Sequence, residues 1–256
     1  MDLLFDDAAE AFRTEVRDWL TEHVPSTPLP SMDTAEGFEA HRDWERTMAA
    51  DRMSVVSWPV EYGGSDAPLL HWLIFEEEYY RSGAPGRVSQ NGIFLLAPTL
   101  FEHASTAQLD AIMPRMACSD DIWGQAWSEP EAGSDLASLR STATRTDGGW
   151  LLNGQKTWSS RSSFADRAFG LFRTDKNAQR HRALTYFMFD LKAPGVTVRP
   201  IAQLDGEAGF APARWFNRGF DRMTDWYGRS VGRIVRRPFL VLLVLALISA
   251  GVWQLF

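Results

Sequence analysis

The sequence predicts an α+β chain: an N-terminal all-α domain, a small β-barrel-like domain, a C-terminal amphipathic helix and a hydrophobic, transmembrane-like helix. Three observations predict it. Apolar residues recur at helical spacing up to about residue 120. From Ile122 onward, short β-forming runs separated by turn residues take over. The chain closes on PFLVLLVLALISAGVWQLF, Pro238 to Phe256, without one charged residue. Helices followed by strands, rather than alternating with them, argue for segregated α and β layers. The limits are 1–120, 121–210, 211–237 and 238–256.

Phe12, Val16, Trp19 and Leu20 lie on one helical face, with Asp6 or Asp7 as the cap. A second helix is expected around Phe38 to Asp51. Pro59 and the Gly63–Gly64 pair make Ser57–Asp66 a loop. PLLHWLIFEEEYYRSG is a third helix, and NGIFLLAPTLFEHA and STAQLDAIMPRMA are two more, the last capped by Ser105. RSTATRT and WLLNG flank Asp147–Gly148–Gly149, a hairpin signature. ADRAFGLFRT, ALTYFMFDL and GVTVRPI read as further strands.

The net charge of −7 is unevenly spread. From Glu207 onward seven arginines face three acids, +4, whereas 19 basic and 30 acidic residues precede it, −11. An acidic body argues against nucleic-acid binding. A basic segment beside an apolar run suggests a membrane surface. The single cysteine, Cys118, allows no disulfide framework and is read as structural, in a reducing compartment. The N-terminus has no basic region followed by an apolar stretch, so no secretory signal is expected. His23, His41, His71, His103 and His181 lack metal-ligand spacing, and no metal site is predicted. His71 reads as a core histidine, and Glu76–Glu78 as a solvated helix face.

The informative chemistry lies in WGQAWSEPEAGSDLASL, Trp123 to Leu139, and LLNGQKTWSSRSSFAD, Leu152 to Asp166. A loop rich in Gly, Ser and Pro between strands offers N–H groups and a hydroxyl to a phosphate-bearing ligand. These stretches resemble the acyl-CoA dehydrogenase family, whose middle domain carries Thr/Ser-Glu-Pro-x-x-Gly-Ser-Asp and, further on, Asn-Gly-x-Lys-x-Trp. Both are present, in order. WPVEYGGSD, FEEEYYRSGAP and VRPIAQLDGEAGF extend the resemblance from about Phe5 to Phe210.

The resemblance implies an FAD-dependent oxidoreductase that removes the α- and β-hydrogens of an acyl-CoA thioester. It implies that Gly133 and Ser134 lie at the FAD pyrophosphate, with Ser134 also near the acyl-CoA substrate. Gln125, Trp127 and Ser128 would line the flavin ring, Trp158 would pack on it, and Ser160 would bond near N5. Such bonds tune a flavin's electronics. No Gly-x-Gly-x-x-Gly is present, so a Rossmann-type flavin site is not supported. The family's base for the α-proton lies in a C-terminal helical domain, so no catalytic residue is assigned. The chain is expected to be truncated before that domain, inactive alone, and a subunit of a homo- or hetero-oligomeric dehydrogenase.

After Phe210 the family pattern stops. WFNRGFDRMTDWYGRSVGRIVRRPFLVLLV resembles the segment entering a central membrane helix of resistance-nodulation-division efflux transporters, without the charged intramembrane residues that drive transport. As a helix, Pro238 to Phe256 spans about 28 Å, against a hydrocarbon core of roughly 30 Å. Arg229, Arg233, Arg236 and Arg237 precede it, which places a cytoplasmic body at the inner face of the plasma membrane. Trp215, Phe216, Phe220, Met223 and Tyr227 form the apolar face of an amphipathic helix along that membrane. The expected whole is a fusion of dehydrogenase domains with a membrane segment. The alternative is a non-catalytic, membrane-anchored flavin- or acyl-CoA-binding scaffold, or a transporter-derived fragment.

Overall fold

A computed structural model describes residues 5–175 and 177–201, and the isolated helical positions 222, 223 and 227. Five α-helices come first: α1 (Asp7–His23), α2 (Ala35–Ala50), α3 (Leu69–Arg81), α4 (Ala97–His103) and α5 (Thr106–Ala117). Their starts follow from side chains that satisfy free N–H groups. Asp6 accepts from the Ala9 N–H at 2.8 Å, Thr34 accepts from Gly37, and Ser105 forms a capping box with Gln108. Ahead of α4, Asn91–Leu96 winds as a π-helix. Pro98 lacks the N–H that would close a regular turn on Phe94, so the turn before it widens.

The spacing of apolar residues in α1, α2 and α3 builds one core from Val16, Leu20, Trp44, Met48, Phe75 and Tyr79. Glu78, expected on a solvated face, is instead 3 % exposed. Arg13 at 2.6 Å, Arg17 at 3.0 Å and Arg81 at 2.7 Å surround it and hold its carboxyl below the usual carboxylate range. Helical periodicity shows a glutamate's own helix but not the arginines another helix brings to it. His71 is half-buried and stacks on Phe12 with ring centroids 4.4 Å apart, rather than sitting in the core.

The strands are β1 (Trp123–Ala126), β2 (Thr142–Thr146), β3 (Gly149–Asn153), β4 (Arg167–Arg173) and β5 (Leu184–Asp190). They form a mixed five-stranded sheet. β4 is its centre: β1 runs parallel to it from Trp123 beside Arg167, and β5 runs antiparallel on its other side. β2 reaches β4 only at Thr142 beside Arg173, and pairs antiparallel with β3. The expected hairpin forms, with Gly148 at φ 92° supplying the left-handed turn residue. Among the described residues the β domain is seen as this mixed five-stranded sheet. GVTVRPI forms no strand: residues 196–201 are irregular, with Val198 and Ile201 exposed. β-propensity without a neighbouring ladder does not make a strand.

A second core joins helices to sheet, with Trp58, Leu100, Met113 and Met116 packing on Trp123 and Phe169. Arg42 of α2 adds a polar clasp, donating to the Ser119 and Asp120 carbonyls and to Asp166 at 2.8 Å. Asp166 in turn accepts the Ile122 N–H at 3.0 Å, so one carboxylate fixes the starts of β1 and β4 together. No helix among the described residues is long and apolar enough to cross a membrane. The expected membrane helix, 238–256, and most of the expected amphipathic helix, 211–237, lie outside the described residues.

Candidate flavin-binding surface

β1 delivers the first motif. Gln125 pairs with Phe169 of β4 and is half-buried. Trp127 packs against the helix–sheet core, and its Nε1–H is buried without a partner among the described residues. A Cβ on Gly124 would lie 2.2 Å from the Ser162 hydroxyl, so a larger residue there would force the Ser162 side chain of the second motif's loop to shift. The Ser128 carbonyl accepts the Thr157 N–H at 2.9 Å, which joins the two motifs directly.

Two residues outside the predicted set hold this junction. Lys156 donates to the Trp127 carbonyl at 3.2 Å, to the Leu171 carbonyl at 2.8 Å and to Glu129 at 2.9 Å. Glu129 also accepts the N–H groups of Arg140 at 2.6 Å and Ser141 at 3.0 Å. Burial alone would raise the Glu129 carboxyl; Ser141, the Arg140 N–H and the Lys156 ammonium outweigh it and bring it to about 2. Burial pulls the Lys156 ammonium below its usual range, against the pull of Glu129. The signal that could have found the pair is one acid and one base, each inside one motif.

The predicted residues themselves line an open surface. Gly133 and Ser134 sit in an exposed bend, and their N–H groups meet no acceptor among the described residues. That bend follows a turn in which the Glu129 N–H donates to the Ala132 carbonyl at 2.7 Å. Trp158 is 74 % exposed and holds φ at 57°, a left-handed conformation unusual for a tryptophan. Ser160 is exposed, and its carbonyl accepts from Asn91 at 3.3 Å. Trp127, Ser128, Trp158 and Ser160 are therefore brought together through bonded neighbours. Ser134 makes no hydrogen bond to Trp158 or Ser160 and is linked to them only through the Glu129 turn.

Two cavities lie apart from these residues. One, of about 420 Å³, is an apolar groove between Trp58, Trp72, Phe94 and Phe101. The other, of about 400 Å³, is a polar cleft between Glu129, Arg140, Asn153 and Gln155. Among the described residues no group of three His, Cys, Asp or Glu could hold a metal ion. Cys118 is half-buried with its thiol raised by burial, which suits a structural rather than a nucleophilic role.

The surface fits a flavin dinucleotide. The N–H groups of Gly133 and Ser134, which meet no acceptor among the described residues, suit an anionic pyrophosphate. The exposed Trp158 face and the Ser128 and Ser160 hydroxyls suit a planar, hydrogen-bonding ring.

Residues 6–120 match the family described as acyl-CoA dehydrogenase, N-terminal domain, and residues 124–215 match its middle domain. Acyl-CoA dehydrogenase IpdE1 of Mycobacterium tuberculosis is 39 % identical over 207 residues, which cover 78 % of this chain and 54 % of that protein. The ChsE4–ChsE5 complex of the same organism superposes with a TM-score of 0.66 at 30 % identity, covering 80 % of this chain and 52 % of the matched one. A Mycobacterium smegmatis glutaryl-CoA dehydrogenase in complex with FADH2 shares the fold, with a TM-score of 0.56 at 20 % identity, covering 78 % and 49 %. The chain spans about half the length of the relatives it matches. Over residues 6–120 and 124–215 this chain belongs to the acyl-CoA dehydrogenase family, as its N-terminal and middle domains.

Proposed function

We propose that this chain binds FAD on the surface of Gln125, Trp127, Ser128, Gly133, Ser134, Trp158 and Ser160, and serves the α,β-dehydrogenation of an acyl-CoA thioester. The observation that carries the reading is the bonded junction of the two motifs. Glu129 and Lys156 lock them together, while Trp158 and the Gly133–Ser134 N–H groups stay open to a ligand. FAD, when bound, accepts the substrate's β-hydrogen as hydride. Trp158 offers its face to the ring, and Ser128 and Ser160 offer hydroxyls to its heteroatoms. Gly133 and Ser134 receive the pyrophosphate, with Ser134 also beside the acyl-CoA.

The base for the α-proton is assigned to no described residue. Glu129 is buried in its ion pair, and Asp135 is held by Arg180 at 3.1 Å. A second dehydrogenase subunit is the partner this reading favours, as ChsE4 assembles with ChsE5. Purification of the full chain tests the flavin reading: about one FAD per chain is expected, and protein that takes up no FAD contradicts it.

Beyond residue 201 the reading rests on sequence alone. It includes closure of the sheet into a barrel, an amphipathic helix over 211–237, and a helix over 238–256 anchoring a cytoplasmic body to the inner membrane face. The likeness to efflux transporters contributes only that anchor. A non-catalytic, membrane-held flavin or acyl-CoA scaffold is the second reading, favoured by the uncharged run from Pro238 to Phe256. Fractionation tests the anchor that both readings share: the full chain is expected with membranes, and the form lacking 238–256 free of them. A full chain that stays monodisperse without detergent contradicts the anchor.

A further inference from the structure

The flavin-facing turn of the second motif is held from outside itself. Trp158 and Arg161, at φ 57° and 66°, bracket Ser159 and Ser160. Side chains other than glycine keep this conformation only where the surroundings enforce it. Inside the turn, the Ser160 N–H donates to the Trp158 carbonyl at 3.1 Å, and the Phe164 N–H donates to the Arg161 carbonyl at 3.1 Å. Those bonds shape the turn but do not orient it against the rest of the protein.

Orientation comes from residues 87–91, on the helical side. Arg161 Nη1 donates to Gln90 Oε1 at 3.1 Å and to the Arg87 carbonyl. Asn91 Nδ2 donates to the Ser160 carbonyl at 3.3 Å. The stretch that receives Arg161 is itself fixed by the helical core. Tyr79 donates its hydroxyl to the Pro85 carbonyl at 2.5 Å, and His41 Nδ1 lies 2.6 Å from the Gly86 carbonyl. Glu45, with no exposed surface in α2, accepts the N–H groups of Val88 at 2.5 Å and Ser89 at 3.1 Å. Three buried side chains thus anchor residues 85–89, and Arg161 ties the flavin-facing turn to that anchor.

We propose that Arg161, assisted by Asn91, is a positioning residue for the flavin. It clamps the Trp158–Arg161 turn to residues 87–91, so the Trp158 face and the Ser160 hydroxyl are set before the flavin arrives. The inference rests on the flavin surface proposed above and adds the device that preorganises it. Without the clamp the strained turn relaxes, and the flavin must order it on binding. Arg161 touches no reacting group, so its effect is read in the turn and in affinity. A residue that only stabilised the fold would loosen the whole protein instead.

The test compares the full chain with Arg161→Ala, Arg161→Lys and Trp158→Ala. Amide hydrogen exchange is measured across residues 157–162 and in α1–α3, together with FAD affinity and the flavin absorption band. In Arg161→Ala, exchange across 157–162 is expected to rise at least about tenfold, the scale of one charge-assisted hydrogen bond, with α1–α3 unchanged. FAD affinity is expected to fall about tenfold on the same ground, with an altered band shape. Arg161→Lys, which keeps a donor of similar reach, recovers most of both. A wild-type chain that takes up no FAD overturns the flavin surface and the flavin role of Arg161 with it. If wild type binds FAD and Trp158→Ala weakens it, unchanged exchange and affinity in Arg161→Ala overturn the clamp alone. Exchange that rises equally in α1–α3 also overturns it.

Discussion

Lys156→Met is expected to destabilise the fold by about 3–5 kcal/mol, the range for removing one partner of a buried ion pair, and to abolish flavin retention. The ammonium bridges Glu129 and the carbonyls of Trp127 and Leu171 at 2.9, 3.2 and 2.8 Å. Methionine keeps the length and apolar stem, so little cavity forms. What remains is a buried carboxylate without its cation and two carbonyls without donors. Glu129→Gln in the same chain removes that stranded charge, so the double variant is expected to lose less than the two single losses combined. Urea denaturation of the four chains reads this coupling. A Lys156→Met chain within about 1 kcal/mol of wild type contradicts the role given to the pair.

The same pair predicts an acid limit. The Glu129 carboxyl sits at about 2, below its ordinary 4.5. A carboxylate lowered on folding contributes stability that is fully present above its unfolded value. That contribution is lost as pH falls from about 4.5 to about 2, at up to about 1.4 kcal/mol per pH unit. Glu129→Gln removes this share of the slope, which denaturation at a series of pH values detects.

The second large effect concerns turnover. The chain by itself is expected to reduce no electron-accepting dye with any saturated acyl-CoA, even when loaded with FAD. No described residue is placed as the base for the α-proton, and a missing general base typically costs on the order of 100- to 10,000-fold. Of the carboxylates in the first motif's loop, Glu129 is buried against Lys156, while Glu131 and Asp135 form exposed pairs with Arg140 and Arg180. Supplying a second dehydrogenase subunit is expected to restore turnover. Dye reduction by the purified chain, free of other subunits, contradicts this assignment.

Local chemistry was readable from sequence. Asp147–Gly148 specifies a hairpin because only a few residues tolerate its left-handed turn, and Asp6 and Ser105 announce helix starts by their side-chain acceptors. The seven residues proposed to face the flavin could be singled out because they fall inside two contiguous motifs. Contacts between distant segments were not readable. The parallel pairing of Trp123 with Arg167 is decided by packing that no local pattern encodes. The burial of Glu78 depends on arginines from α1, and the orientation of the Trp158 turn on residues 87–91. Lys156 and Glu129 lay in view inside the motifs, but their function is to join them, and a junction shows only in the folded chain.

The central claim is that two motifs, joined through Lys156 and Glu129, make one FAD surface. Titration of FAD into the full chain and into its Ser134→Ala and Trp158→Ala variants tests it most directly. The expected result is one FAD per wild-type chain, with Trp158→Ala weaker by about tenfold, the scale of one lost aromatic contact, and Ser134→Ala weaker through loss of its hydroxyl alone, since alanine keeps the N–H. Equal FAD affinity in all three proteins would contradict it.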